Sequence, residues 1–193
     1  SGIPERFLSH GNKDFSQDVR KFVFVGSLFK LKNVDVTLKA LHQAFPEGDF
    51  EFHVVGSGAE EASLRSLTEE LGMQSQVVFH GQQKRDDAQK IMEQADCFVM
   101  VSSREAFGLV YVEAMAKGCI TVATKGQGID GVIVNGENGF LCESNNVEVL
   151  AATLKHIRSL SSMQLQDISR KAVETAYELT DAKVAEHYLN SIK

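Results

Sequence analysis

Two glutamates separated by seven residues, Glu105 and Glu113, are the side chains of this sequence best placed to do chemistry. Glu113 falls within an apolar stretch, 107–117, that predicts a buried helix, and Glu105 falls in the polar turn before it. A buried carboxylate destabilises a fold unless a partner satisfies it. Glu113 therefore has two interpretations: a structural ion pair with a lysine or arginine, or the binding of a ligand that offers hydroxyl groups.

The start of this predicted helix is suited to an anion. Two short apolar runs, 97–101 and 119–123, flank the stretch and are typical of buried parallel strands. The first turn of a helix presents free N–H groups and the positive end of a dipole. A diphosphate could therefore bind the amides of Gly108, Leu109 and Val110.

The position of Glu113 along the helix favours a nucleotide. At ~1.5 Å of rise per residue, its carboxylate lies roughly 7 Å from these amides, which suits a ribose attached to the same diphosphate. Glu105 would lie on the opposite side of the phosphates. It either holds a second hydroxyl-rich group or is a solvated loop residue.

The rest of the chain supplies the elements that must position these residues. Strands are predicted at 22–26, 50–55, 77–79, 97–101, 119–123 and 140–142. Helices are predicted after the capping residue Asn33 and at 59–71, 85–94, 107–117, 146–160, 163–177 and 181–192. This alternation predicts an α/β fold, a doubly wound, Rossmann-like parallel sheet with helices on both faces. Right-handed crossovers bring the carboxyl ends of all strands to one edge, where such folds bind ligands.

We expect a single domain over residues 1–193. A leading segment, 1–21, has scattered apolar residues that would lie over a surface, followed by an α/β core at 22–142 and C-terminal helices at 143–193. The length is that of one ordinary domain.

Composition excludes several classes of protein. A formal net charge of −6 argues against a nucleic-acid binder. The sequence contains no run of 18 apolar residues, the length that a membrane-spanning helix would need. No signal-peptide pattern begins the chain. Three cysteines, in or beside predicted strands and without metal-ligand spacing, are typical of buried, reduced thiols in a cytosolic protein.

Three further features are weak when taken alone. The turn Gly56-Ser57-Gly58 lacks the third glycine of a dinucleotide fingerprint, so a tight turn is the simpler interpretation. Lys32 could reach phosphate oxygens or be solvated. No acid or nucleophile is tied by spacing to His80, which favours a backbone role for the turn it forms with Gly81.

Taken together, these residues resemble the C-terminal, donor-binding domain of a retaining glycosyltransferase of family 4, which has the GT-B fold. The pair Glu105 and Glu113, with its neighbours from Ser102 to Gly118, carries the resemblance. Other similar segments follow in consistent order between residues 22 and 142: Val25 to Leu28 with Lys32, Val55 to Gly58, Val78 to Gly81, Ala95-Asp96 and Asn135 to Phe140.

The resemblance implies a role for each matching position. Glu113 would bind the ribose of a nucleotide-diphosphate sugar. The catalytic pair would be Glu105, on the hydroxyls of the transferred sugar, and Lys32, on the leaving diphosphate. The other donor-binding positions would be Phe107, Gly108, Leu109, Val110, Gly26 and Ser27, with Gly56, His80 and Gly81 flanking the base. No metal or cofactor would be needed, because cations and helix amides stabilise the departing diphosphate, and transfer would retain the anomeric configuration.

The chain departs from the family pattern at three places. Ser27 stands where an arginine is common, and Asn33 stands where a glycine is common. The loop 125–130 lacks the usual paired glycines. Phosphate stabilisation is therefore expected to be weaker, or to draw on Lys30 or Lys125.

The resemblance also implies what the chain needs from outside itself. GT-B enzymes react between two domains, and the N-terminal acceptor domain would be absent here. We expect a cytoplasmic domain that binds a nucleotide sugar but alone transfers little to a saccharide or glycolipid acceptor, with peripheral association of the full enzyme at the inner face of the cell membrane. The alternatives are a non-catalytic nucleotide-sugar-binding module and, less favoured, a dinucleotide-binding oxidoreductase domain.

Overall fold

A six-stranded sheet, parallel throughout, forms the centre of the computed structural model, which describes residues 2–8 and 13–191. The strands are β1 Lys21–Val25, β2 Glu51–Val55, β3 Val77–Gly81, β4 Cys97–Val99, β5 Ile120–Thr124 and β6 Phe140–Cys142. The helices are α1 Val34–Ala44, α2 Glu61–Glu70, α3 Arg85–Gln94, α4 Leu109–Ala116, α5 Val147–Ser159, α6 Ser162–Glu178 and α7 Asp181–Ser191. The predicted strands and helices are confirmed, with ends that differ by one or two residues; the predicted end of α7 at Ile192 lies outside the described residues.

The strand order β3-β2-β1-β4-β5-β6 makes β1 and β4 neighbours at the point where the order reverses. Phe22 of β1 pairs with Cys97 of β4 in this register. Ligands of doubly wound sheets bind at the carboxyl edge of such a switch point, because the crossovers on its two sides leave in opposite directions. The loops after β1 and β4, which contain Lys32 and Glu105, meet at this edge.

The helices form two groups on opposite faces of the sheet. Helix α1 packs against α2 and α5, and α4 packs against α3 and α6. Right-handed crossovers explain this division, since the chain leaves β1 in one direction and returns from β3 in the other. The central strand β1 is accordingly buried on both faces at Phe22, Val23 and Phe24.

The buried helix predicted around Glu113 is confirmed. All residues of α4 from Tyr111 to Ala116 are buried, and Tyr111 packs edge-on against Phe98 with its hydroxyl donating to the Met100 carbonyl at 2.8 Å. The helix begins at Leu109, two residues later than predicted, because Gly108 adopts the left-handed conformation.

The prediction that the Asn33 side chain caps α1 is wrong. Asn33 precedes α1 in the left-handed conformation, with φ 52°, and its side chain makes no capping bond. Its amide nitrogen instead donates to the Val101 carbonyl at 2.7 Å and to Ser103 Oγ at 2.8 Å. Asparagine tolerates this conformation better than most residues, which explains how it replaces the family's glycine.

The described residues of the leading segment, 2–8 and 13–21, pack onto the domain. Ile3, Phe7 and Phe15 are buried, and Ile3 forms an isolated bridge with Thr180 before α7. Burial of the three cysteines, Cys97, Cys119 and Cys142, is also confirmed. In the described part of the chain, no helix is long and apolar enough to cross a membrane.

Candidate functional site

The start of α4 presents free amides at the sheet edge. Gly108 has φ 71°, and a Cβ atom there would come within 2.7 Å of the Tyr111 ring, so only glycine makes this turn without displacement. The amides of Leu109 and Val110 have no acceptor among the described residues, whereas that of Tyr111 donates to the Gly108 carbonyl. The first turn of α4 is therefore suited to an anion.

Glu113 is held by two side chains of α3. Arg85 donates to Oε1 through Nε at 3.2 Å and Nη2 at 2.5 Å, and Gln89 Nε2 donates to Oε2 at 2.6 Å. The residue is 8% exposed, so these bonds compensate much of the cost of burying the charge. The structure thus supplies the protein cation that the first interpretation of Glu113 required.

The same bonds leave the carboxylate able to bind a ligand. An ionised carboxylate has about four acceptor positions. Three are filled here, two on Oε1 by Arg85 and one on Oε2 by Gln89. The remaining position, on Oε2, can accept a hydroxyl, so an ion pair and a ribose contact are compatible.

Arg85 and Gln89 were not predicted as site residues from the sequence, although one signal pointed to Gln89. Ala88 and Met92 mark the buried stripe of α3, and Gln89 is a polar residue within it, only 5% exposed. A polar residue on the apolar stripe of an amphipathic helix usually has a buried partner. Arg85 lies one turn earlier, on the same face, and gave no such signal because it is half exposed.

Glu105 and Lys32 form an ion pair across the switch point. Lys32 Nζ lies 2.5 Å from Glu105 Oε2, and the two side chains are only 18% and 16% exposed. The resemblance assigned them separate tasks, on the diphosphate and on the sugar. The structure brings them together, so each charge is now positioned by the other.

Contacts between loops hold Glu105 in place. Its backbone N–H donates to Gln127 Oε1 at 2.9 Å, and its carbonyl accepts from the Gly128 amide at 3.3 Å. Gly128 packs so tightly that a Cβ atom there would lie 1.5 Å from the Ala106 carbonyl oxygen. The loop 125–130 lacks the family's paired glycines, but it has a glycine at position 128, where this close approach requires one.

A cavity of about 310 Å³ opens between the ends of β1 and β2 and the start of α3. Backbone bonds join its walls, since the Gly26 amide donates to the Val55 carbonyl and the Gly56 amide to the Gly81 carbonyl. Its size lies at the lower end of small-ligand sites. Its lining residues are Val25, Gly26, Ser27, Val55, Gly56, Ser57, Gln82, Gln83 and Ala88.

The His80 side chain lies away from this cavity. Its ring stacks on His53, with centroids 5.1 Å apart, and lines a smaller space of about 160 Å³ with Glu51 and Lys21. Burial and the neighbouring His53 lower the pKa of His80 below its ordinary value. The backbone of this turn does contact the cavity wall: the His80 carbonyl accepts from Gln83 Nε2 at 2.7 Å, and the Gly81 carbonyl accepts from the Gly56 amide.

Comparison with known proteins decides the family. A family model described as "Glycosyl transferases group 1" matches residues 6–178. The chain belongs to the group 1 glycosyltransferases. Its parallel sheet and surrounding helices have the fold of the C-terminal domain of GT-B glycosyltransferases.

Curated proteins and solved structures match most of the chain. It is 29% identical over 164 residues to N-acetyl-α-D-glucosaminyl L-malate synthase of Bacillus anthracis, covering 84% of this chain and 42% of that protein. Anabaena HepE, solved with UDP and glucose, has 25% identity and a TM-score of 0.79, covering 90% and 48% of the two chains. The C-terminal domain of LpcC from Francisella tularensis has 22% identity and a TM-score of 0.80, covering 91% and 97%. The chain spans less than half the length of the curated relatives it matches.

Both of the cations considered as substitutes for the family's arginine are exposed in this glycosyltransferase domain. Lys30 is 71% exposed on its side chain and pairs with Asp35 at 2.8 Å, and Lys125 is also exposed. Phe107, the remaining predicted donor-binding residue, is half-buried at the turn before α4. No group of three or more His, Cys, Asp or Glu side chains that could hold a metal ion occurs in residues 2–8 and 13–191.

Proposed function

We propose that this chain is the donor-binding domain of a retaining glycosyltransferase that transfers a hexose-type sugar from a nucleotide-diphosphate sugar to a saccharide or glycolipid. One observation carries the proposal: Glu113 keeps a free acceptor position about one turn along α4 from the free amides of Leu109 and Val110, on the helix that follows the switch-point strand β4. This combination fits a ribose and its diphosphate better than any single charged ligand. HepE, which was solved with UDP-glucose, supports the ligand class.

The geometry supports one direction for the donor across the site. The cavity beside Gly26 and Gly56 takes the base, and α3 connects it to the ribose site, because Ala88 lines the cavity and Gln89 holds Glu113. The diphosphate lies on the amides of Leu109 and Val110. The transferred sugar then lies toward Glu105 and Lys32.

The Lys32–Glu105 pair has a specific part in the transfer step. When the bond from the sugar to the diphosphate breaks, negative charge grows on the departing oxygen. Lys32, already ordered by Glu105 at 2.5 Å, can stabilise that charge without being recruited from solvent. Glu105 keeps its second oxygen for a sugar hydroxyl. Retention of configuration is proposed from the family resemblance.

The proposal includes a requirement for a second domain. The curated relatives are more than twice as long as the segment they share with this chain. We propose that acceptor contacts lie in such an additional domain, and that the 193-residue chain alone binds donor but transfers little. Efficient transfer by the purified chain to a sugar acceptor would contradict this part.

Calorimetric titration with UDP-, GDP- and ADP-sugars, and with NAD, tests the ligand class. We expect one nucleotide sugar to bind more tightly than NAD. Glu113→Gln should lower its affinity by about 10- to 150-fold, because a hydrogen bond to a charged group contributes ~1.5–3 kcal/mol. The control is Glu70→Gln at the exposed end of α2. Preference for NAD, or loss of thermal stability in Glu113→Gln with unchanged binding, would reject the proposal.

A further inference from the structure

Gln89 has an arrangement that packing alone does not explain. The residue is 5% exposed, and its Nε2 donates to Glu113 Oε2 at 2.6 Å. Its amide oxygen Oε1 is buried and has no partner among the described residues. A buried acceptor without a donor destabilises a fold, and a leucine or methionine would fill the same space without that cost.

The amide of Gln89 is fixed in this orientation by Glu113. Rotating it by half a turn would place Oε1 against Glu113 Oε2, two acceptors in contact, so the unpartnered oxygen is the consequence of donating to the carboxylate. The contact with Glu113 therefore explains why a glutamine stands at this buried position.

Arg85 holds the other carboxylate oxygen and also packs over an aromatic ring. Its guanidinium lies 4.7 Å from the centroid of the Phe7 ring, and Phe7 is buried in the leading segment. Arg6 contacts the same ring at 5.0 Å. Stacking on an aromatic ring limits the rotation of a guanidinium, so the half-exposed Arg85 keeps a defined direction toward Glu113.

We propose that Gln89 and Arg85 are positioning residues that orient the Glu113 carboxylate for a ribose hydroxyl. Together they fill three acceptor positions and leave one, on Oε2, for a hydroxyl. This inference rests on the proposed function, because it needs a ribose at Glu113. Its distinguishing consequence is that both residues strengthen nucleotide binding only through the ribose hydroxyls.

A purely structural role would have a different signature. If the bonds of Arg85 and Gln89 to Glu113 only joined α3 to α4, their removal would lower thermal stability and would change the affinity for all nucleotides alike. A positioning role lowers affinity for a nucleotide that has 2′ and 3′ hydroxyls and spares one that lacks them. The ratio of the two affinities therefore separates the alternatives.

The experiment measures this ratio with UDP, GDP and ADP, each beside its 2′,3′-dideoxy counterpart, in Gln89→Met and Arg85→Met. We expect both variants to lose about fivefold or more in affinity for the nucleotide that binds wild type best. The loss for its dideoxy counterpart should be less than about twofold. Arg85 is half exposed, so Arg85→Met remains a usable variant if Gln89→Met does not fold.

The chain offers a matched control for each substitution. Gln94→Met makes the same change at the last residue of α3, away from Glu113. Arg65→Met removes an arginine that is also 50% exposed, pairs with Glu61 at 2.8 Å and lies 4.5 Å from the Phe79 ring. Both controls should keep the wild-type ratio.

The outcomes separate the two proposals. If wild type binds none of the nucleotides, or binds each as well as its dideoxy counterpart, the proposed ribose site at Glu113 is wrong. If wild type prefers the ribonucleotide and both Gln89→Met and Arg85→Met keep that preference in full, the positioning inference is overturned and the proposed function stands.

Discussion

The two glutamates of the site are each paired with a cation, but different parts of the fold hold them. Glu113 lies on α4 and is fixed by Arg85 and Gln89 of α3, so its position is set by two packed helices. Glu105 lies in a loop and pairs with Lys32 of another loop. A third loop holds its backbone, through Gln127 and Gly128.

This difference separates the two halves of the proposed donor site. The nucleotide half is built on regular elements, which place side chains more reproducibly than loops do. The sugar half is assembled from three loops that depend on one another. Loops tolerate sequence change better than helices. In the proposed donor site, the sugar half is therefore expected to tolerate substitution better than the nucleotide half.

The largest expected effect comes from Gly128→Ala, which disturbs the sugar half alone. The new Cβ would meet the Ala106 carbonyl oxygen at 1.5 Å, so the Glu105 loop must move. We expect a loss of ~3 kcal/mol in the free energy of unfolding, the upper end for overpacking. The affinity for the preferred nucleotide sugar should fall to that of its nucleoside diphosphate, whose own affinity stays unchanged.

The control for this variant is Gly126→Ala in the same loop, where a Cβ atom would meet nothing within 4 Å. Gly126 has φ 76°, so alanine there costs ~1–2 kcal/mol from backbone strain. Gly126→Ala should keep the wild-type difference in affinity between the nucleotide sugar and its nucleoside diphosphate. An equal loss of nucleoside diphosphate binding in Gly128→Ala would show that the two halves are not independent.

Asn33 gives the next largest effect, because it joins the loops on either side of the switch point. Asn33→Ala removes a buried bond to Val101 and a partly buried bond to Ser103, and it leaves an unfavourable residue at φ 52°. We expect a loss of ~2–3 kcal/mol in urea unfolding. Asn33→Gly loses the same bonds without the strain, so it should be less destabilised. Equal losses in the two variants would mean that backbone conformation contributes nothing here.

The fold could be predicted from sequence because its signals are local. Apolar runs such as 97–101 and the periodic helix 85–94 report burial directly through residue type. The same reasoning located Glu113, since a charged residue inside an apolar helix conflicts with its surroundings. It did not identify the partner, because α3 is brought beside α4 only by the crossover of the chain.

The sugar half of the site shows why the other contacts of the site could not be predicted from the sequence. Asn33 was predicted to be a helix cap from its residue type, yet tertiary contacts with Val101 and Ser103 take its side chain. Gln127 contacts Glu105 across 22 positions of sequence, and no pattern marks such a pair. A glycine required by close approach, like Gly128, looks identical in sequence to one in an open turn.

Lys32 should show an intermediate effect that tests the charge pairing in the sugar half. Lys32→Met leaves the largely buried Glu105 carboxylate without its cation, and we expect a loss of ~1–2 kcal/mol in the free energy of unfolding. The matched control is Lys30→Met, since Lys30 is exposed and pairs with Asp35. Exposed pairs contribute ~0–1 kcal/mol, so the control should remain near wild type.

Binding data complete this test. Lys32→Met should weaken both the nucleotide sugar and the nucleoside diphosphate, because Lys32 faces the phosphates in the proposed arrangement. A Glu105→Gln variant should weaken only the nucleotide sugar. If Lys32→Met left nucleoside diphosphate binding unchanged, Lys32 would belong wholly to the sugar half.

The smallest expected effect is a dependence of stability on pH, which involves only the nucleotide half of the site. His53 Nδ1 and His80 Nε2 lie 2.8 Å apart, which requires one of the two nitrogens to be unprotonated. Burial and then His53 lower the pKa of His80 below its ordinary value of 6.5. Just below pH 6.5 the unfolded chain therefore binds more protons at this histidine than the folded chain does. The contribution of neutral His80 to the free energy of unfolding is complete above pH 6.5 and is lost as the pH falls through 6.5.

We expect the urea midpoint to fall between about pH 7.5 and about pH 5.5, with a smaller fall in His80→Asn and an unchanged one in the exposed control His42→Asn. Because Gly81 follows His80 and accepts from the Gly56 amide, acid should weaken nucleoside diphosphate binding slightly. The ratio of nucleotide sugar to nucleoside diphosphate affinity should stay constant, since neither histidine contacts the Glu105 loops. If this ratio changed with pH in the wild type but not in His80→Asn, the nucleotide half and the sugar half would be coupled through the sheet edge.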